Sequence, residues 1–208
     1  MSEILTESGR EGPTARLRWS YQEFLESYDG EPAEWVDGEV AWMSPVTRRH
    51  DLIVIFLKAI LLPFIQHHRL GELHGEPFQM RAAPHLPGRS PDVLFVSSPH
   101  IERVRDKFLD GPADLVIEVI SPGSRTLDRG DKYTEYEQSG VGEHWLVDPE
   151  RTTVEFFRLS SFGRYELVPM DADGRVHSEA VPGLWLYPDW LLQAPPVLDV
   201  LRAWDLIS

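Results

Sequence analysis

The chain has 208 residues, 34 of them acidic and 20 basic, giving a formal net charge of -14 and a pI of about 4.9. With 42% hydrophobic and 11% aromatic residues and no low-complexity tract, the composition is that of a folded chain, not a disordered one. The absence of cysteine excludes disulfides, thiolate zinc sites, iron–sulfur clusters and a cysteine nucleophile, and leaves any metal to oxygen or imidazole ligands. The acidic balance counts against broad, non-specific binding of phosphate backbones, though not against a local basic rim around an acidic, metal-loaded site.

Residues 1–18 mix Glu, Ser, Gly and Arg without an apolar centre and read as a flexible N-terminal arm, neither signal nor transit peptide. Residues 19–208 read as one domain with a C-terminal strand/helix extension. Ser20 is an N-cap candidate for a short helix carrying Tyr21, Phe24 and Leu25. Two short apolar runs around Asp37-Gly38 predict an N-terminal β-hairpin with a type I′ turn, which Glu39 leaves. From residue 50 to about 66, Ile53, Phe56, Leu57, Ile60, Leu61 and Phe64 recur at helical spacing, with Pro63 expected to bend or end the helix. The apolar run inside it, 52–65, is shorter than the roughly 20 residues needed to span a bilayer, so no membrane association and a cytoplasmic location are expected.

A strand is expected over 76–82, buried strands over 92–97 and 114–121, and a helix over 126–139 stopped by Gly140. Strand signals return at 144–147, 153–157 and 164–168, and a last short helix around 197–206. This order describes an α/β (α+β) chain around one mixed sheet flanked by helices.

Glu118 stands in the middle of Leu115-Val-Ile-Glu-Val-Ile120, a run apolar on both faces. An ionised carboxylate there is costly unless paired, protonated or bound to a cation. Two readings stay open: a solvated strand end or Arg-paired residue, and a functional acid. Asp92 opens the neighbouring buried strand directly behind Pro91, and two carboxylates on adjacent strand ends, with the carbonyl of Val119 and water, make a hard oxygen site for Mg²⁺ or Mn²⁺. Lys132 is one of only three lysines, and helical spacing puts Asp128, Lys132 and Tyr136 on one face. An ordinary i,i+4 ion pair with Asp128 is the alternative to an ammonium leaning over the two acids.

Pro91-Asp92, Glu118-Val-Ile-Ser-Pro122, Asp128-Arg-Gly-Asp-Lys132, Tyr136, Gly140-Val141 and His144-Trp-Leu-Val-Asp-Pro149, together with Glu34, Asp37-Gly38-Glu39, Ser44-Pro45 and His50, resemble the Uma2 family, which is similar to PD-(D/E)XK nucleases. The resemblance implies a restriction-endonuclease-like core, a divalent ion held by Asp92 and Glu118, and a nucleic-acid substrate, DNA in the first instance. Lysine normally follows the acid by two positions, where this chain has Ile120; Lys132 on the following helix is the expected replacement.

Glu39 is a secondary candidate as an extra acid, and His50 either positions water or phosphate or merely packs at a helix start. Arg48, Arg49, Arg125 and Arg129 are candidate phosphate contacts, whereas His67, His68 and His74 read as solvated. A homodimer is implied by resemblance alone, and exposed members of the set Trp35, Trp42, Trp185 and Trp190 would mark its interface. No phosphate-cradling glycine loop is present, so no nucleotide cofactor is expected. The rival expectation is a catalytically inactive nuclease-like scaffold that binds protein or nucleic acid.

Overall fold

The structure, a computed structural model, describes residues 18–27, 33–43 and 45–208. Apart from Arg18 the expected arm lies outside the described residues, as does Ser44 of the Ser44-Pro45 pair.

The first elements form for local reasons. Helix α1 (Tyr21–Ser27) starts in a capping box: Ser20 Oγ accepts from the Glu23 N–H at 3.2 Å while the Glu23 carboxylate accepts from the Ser20 N–H at 2.7 Å. Strands β1 (Ala33–Val36) and β2 (Glu39–Trp42) meet at Asp37 and Gly38, whose φ values of 50° and 87° are those the type I′ turn requires.

Helix α2 (Arg48–His68) is capped by Thr47, whose hydroxyl accepts from the His50 N–H at 3.2 Å. It passes through Pro63, where the sequence placed a break. The proline removes one backbone bond, but Ile60, Leu61, Phe64 and Ile65 on either side are buried, and their packing outweighs it. By length and composition this 21-residue helix is apolar enough to cross a bilayer. It lays Ile53, Phe56, Leu57, Ile60, Leu61, Phe64 and Ile65 into the core of this fold instead.

After α2 come β3 (Gly71–His74), β4 (Gln79–Arg81) and β5 (Val93–Ser97), a 3₁₀ turn (Ser98–Arg103), β6 (Phe108–Asp110) and β7 (Leu115–Val119). The strand expected over 76–82 is shorter than its pattern, because the Glu76 N–H bonds the Pro91 carbonyl at 2.8 Å and only β4 pairs, in parallel with β6. The helix expected over 126–139 has three parts: α3 (Arg125–Leu127), a π-helical turn (Asp128–Lys132) and α4 (Tyr133–Ser139), ended by Gly140 at φ 88°. Then follow β8 (Glu143–Asp148), β9 (Thr153–Leu159), β10 (Tyr165–Leu167), the small pair β11 (Val176–His177) and β12 (Trp185–Leu186), α5 (Trp190–Gln193) and α6 (Val197–Ala203).

Among the described residues six strands form one mixed sheet in the order β10-β9-β8-β7-β5-β3, in which only β7 and β8 run parallel. That parallel pair needs a crossover, and α3 to α4 supply it. Side-chain alternation divides the strands between two cores. Val93, Phe95, Leu115, Ile117, Val119, Trp145 and Val147 face α2 and the C-terminal helices. Leu94, Val96 and Val116 face the other way, toward Met80, Leu109 and Tyr136. A third cluster, Tyr21, Phe24, Leu25 and Ala33, fixes α1 to the hairpin. The hairpin is anchored by reciprocal backbone bonds between Trp35 and Gly88 at 3.0 and 2.8 Å.

Candidate active site

The antiparallel register of β5 and β7 pairs Val93 with Ile117, and one further step along it sets Asp92 opposite Glu118. Asp92 shares the face of Leu94 and Glu118 that of Val116, so both carboxylates emerge on the side covered by α4. Asp92 Oδ2 accepts from the Val119 N–H at 2.7 Å, which ties its position to the strand end. A Cβ on Gly75 would lie 2.2 Å from the Asp92 carbonyl, so the chain can pass this close to Asp92 only with glycine there.

Lys132 reaches the same space from the π-helical turn. Its Nζ lies 3.1 Å from Glu118 Oε1, 3.4 Å from Glu34 Oε1 and 3.4 Å from Asp128 Oδ1, all four side chains being buried. The Tyr136 hydroxyl, one helical turn on, donates to Glu118 Oε1 at 2.8 Å. Glu34 is held from behind: Arg89 donates to Glu34 Oε2 at 2.9 Å and the Ser90 N–H to Glu34 Oε1 at 3.1 Å. Arg89 also binds Glu135 through Nε and a terminal nitrogen, both at 2.8 Å. The hairpin and the loop before β5 thus supply a second row of charges that supports the ammonium.

Burial dominates the electrostatics. It pushes the Glu118 carboxyl up to about 8, against the pull of Lys132 and with the help of Asp128, Asp92 and Glu34. Burial raises Asp128 as well, with Lys132 pulling the other way. Burial also works to raise Glu34, but Lys132 and Arg89 prevail and hold it below its ordinary value. Burial would depress Lys132, yet the surrounding carboxylates keep its pKa well above the usual lysine range. The cluster therefore keeps a fixed cation beside a carboxyl poised near neutrality.

His50, in the first turn of α2, is buried and lies with Nε2 3.2 Å from Asp92 Oδ2. Burial works against its protonation, but the bond to Asp92 and that carboxylate's charge raise its pKa overall. Val119 lines the cleft beside Asp92 and Glu118. Glu39 does not: it is exposed on β2, and the acid that the hairpin sends inward is Glu34. Arg125 is engaged by Asp148 and Glu150, and Arg129 by Glu155. Among the four tryptophans singled out above, Trp35, Trp185 and Trp190 are half-buried and Trp42 is 69% exposed. His67 and His68 are exposed, and His74 pairs with Glu72 at 3.0 Å.

Glu34, His50, Asp92, Glu118, Asp128 and Lys132 line a cleft of about 180 Å³. Among the described residues no group of three or more His, Asp or Glu side chains forms a complete cation cage. The donor set still fits a hydrated hard cation, since Mg²⁺ keeps several waters and uses one or two carboxylates. Asp92 takes its bonds on Oδ2 and Glu118 on Oε1, so each has its second oxygen outside those bonds.

The sequence assigns no site role to Glu34, Arg89 or Asp128. The alternation of β1 could have flagged Glu34, which stands between buried Ala33 and half-buried Trp35. Nothing local marks Arg89, whose partners lie 55 and 46 residues away.

Comparison with known proteins agrees with this architecture. Residues 21–191 match the Uma2 family, described as "putative restriction endonuclease". An uncharacterized protein of Synechocystis sp., slr1290, is 23% identical over 172 residues, covering 81% of this chain and 85% of its own. A crystal structure of a "putative nuclease belonging to DUF820" from Anabaena variabilis superposes with a TM-score of 0.66 at 19% identity, covering 83% of this chain and 96% of that one. With the family match extending from α1 to α5, the chain belongs to the Uma2 family.

Proposed function

We propose that this protein is a divalent-metal-dependent endonuclease that hydrolyses phosphodiester bonds in nucleic acid, with DNA the expected substrate, at the cleft of Asp92, Glu118 and Lys132. The observation that carries the reading is the 3.1 Å approach of Lys132 Nζ to Glu118 Oε1, next to a strand end where Asp92 binds the Val119 N–H. Asp92 and Glu118 are the groups to hold Mg²⁺ or Mn²⁺, with Val119 contributing its carbonyl. When bound, such an ion supplies Lewis-acid charge to phosphoryl oxygens and lowers the pKa of coordinated water. Lys132 offsets the negative charge that develops on the phosphate, and Glu34 with Arg89 keeps the ammonium aimed. His50 orients Asp92 through its 3.2 Å contact. A homodimer offering one cleft to each strand belongs to this reading, and sedimentation of the intact chain tests it.

One observation favours a second reading, an inactive scaffold of the same fold: Lys132 already faces three carboxylates and is buried. Titrating Mg²⁺ and Mn²⁺ calorimetrically into wild type and Glu118→Ala, beside plasmid and single-strand cleavage, separates the two. Metal-dependent cleavage that disappears with Glu118 supports the nuclease. Full activity in Glu118→Ala overturns the assignment, and neither binding nor cleavage in wild type favours the scaffold.

A further inference from the structure

Trp42 ends β2 and is 69% exposed, yet it lines the same cleft as Asp92, Glu118 and Lys132. The other tryptophans of the hairpin and tail have partners. The Trp35 ring N–H donates to the Trp19 carbonyl at 2.8 Å, and Trp190 packs against both Trp185 and Trp204. Among the described residues the Trp42 ring has no ring contact and no hydrogen bond. An indole left bare beside a candidate reaction centre is a surface for something flat and apolar.

The charges nearby narrow the choice. Of the arginines considered as phosphate contacts, Arg125 and Arg129 are held by acids. Arg48 and Arg49, exposed on the first turn of α2, take part in no ion pair among the described residues. Neither lines the cleft itself, but both stand in the chain between Val46 and His50, which do. On a chain of net charge -14 such free cations matter for a polyanion, since most of the protein's field repels it. A bare aromatic face followed a few residues along the chain by two exposed guanidinium groups matches a nucleotide, base on the ring and phosphates on the cations. A paired base has both faces covered by its neighbours in the duplex, whereas an unpaired one offers a face to the indole.

The geometry points to Trp42 as a base-stacking platform at the cleft mouth, with Arg48 and Arg49 on flanking phosphates, and hence to nucleic acid with unpaired bases as the favoured ligand. This rests on the reading of the cleft as a nucleic-acid site and adds which form it selects: a single strand, a flap or a bulge.

The test is equilibrium binding, without added metal, of the intact protein to three labelled probes of equal charge: an oligothymidylate, the same backbone with abasic sites in place of bases, and a duplex. Wild type should bind the thymidylate roughly tenfold or more tighter than the abasic strand, in keeping with one base stacked on an aromatic ring. In Trp42→Ala that ratio should fall to near one, and Trp42→Phe should restore most of it. Replacing both Arg48 and Arg49 by Ala should flatten the log–log salt dependence by about 1.4, the value for two phosphate contacts on a single strand. Equal ratios in wild type and Trp42→Ala, a duplex bound as tightly as the single strand, or no binding of any probe overturn the platform. So does a Trp42→Ala variant that only converts a dimer to monomers and binds all probes as wild type does. Base-selective binding without any cleavage leaves the platform standing and removes the hydrolytic reading. Cleavage that persists while Trp42 proves irrelevant does the reverse.

Discussion

Lys132 and Glu118 stand 3.1 Å apart, although one belongs to a π-helical turn and the other to the central strand of the sheet. Three further carboxylates, of Glu34, Asp128 and Asp92, act on the same ammonium. A buried cluster of this kind is a poor source of stability and a sensitive one, because every member depends on charges it cannot replace.

Glu118 makes the folded protein pH-sensitive in the absence of metal. Its folded pKa of about 8 lies above the ordinary 4.5, so the folded chain retains a proton that the unfolded chain releases. The associated stability is complete below about 4.5 and is lost as the pH rises through about 8. In EDTA, wild type should therefore lose stability between pH 5 and 8, on the order of a few kcal/mol. Glu118→Gln should flatten that slope and melt higher than wild type at pH 8. Identical pH profiles of Tm would remove the basis for this account.

Removing the cation is the opposite experiment. Lys132→Met leaves Glu34, Glu118 and Asp128 buried without their shared counter-ion, at an expected cost of ~3–5 kcal/mol near neutral pH. The loss should shrink at pH 5, where the raised carboxyls are protonated at less cost. Denaturant midpoints at the two pH values check this, and a variant equally stable at both contradicts it.

Arg89 tests the supporting row. Its guanidinium grips Glu135 with two nitrogens and Glu34 with a third, a planar arrangement that an ammonium cannot copy. Arg89→Lys should be destabilised almost as much as Arg89→Ala, by several kcal/mol. It should also weaken Mn²⁺ binding, since the row behind Lys132 is loosened. A lysine variant with wild-type stability and metal affinity would show that the fork is dispensable.

His144 is completely buried among Tyr136, Phe157 and Tyr165, and among the described residues neither of its ring nitrogens has a hydrogen-bond partner. Burial, assisted by the nearby Lys132 charge, lowers its pKa to about 3 from the ordinary 6.5. Here the unfolded chain takes up the proton first, so the stability is present above about 6.5 and is lost as pH falls toward about 3. His144→Phe should reduce the acid sensitivity in this window, read as the slope of unfolding free energy against pH. An unchanged slope would assign acid unfolding to other groups.

What could be read directly from the sequence is what neighbouring residues decide among themselves. Asp37-Gly38 forces its turn because both residues must take positive φ, and Ser20 with Glu23 closes a cap three residues long. The apolar run around Glu118 marks a strand covered on both faces, and the cost of a buried charge makes that carboxylate conspicuous. Pro63 misleads because its local penalty is smaller than the burial of the residues flanking it, which depends on the sheet beneath. Glu39 misleads in a similar way: hairpin alternation cannot say which face will meet the rest of the chain, and docking at Gly88 turns Glu34 inward instead. Asp92 faces Glu118 because of an antiparallel register, and Lys132 reaches them because the crossover between two parallel strands must return over that face. The sequence by itself determined most of the longer elements and the two conspicuous acids, but not the short strands β3 and β6. Only the tertiary structure decided which charges surround them, since Coulomb interactions act over distances in space while sequence patterns report only neighbours along the chain.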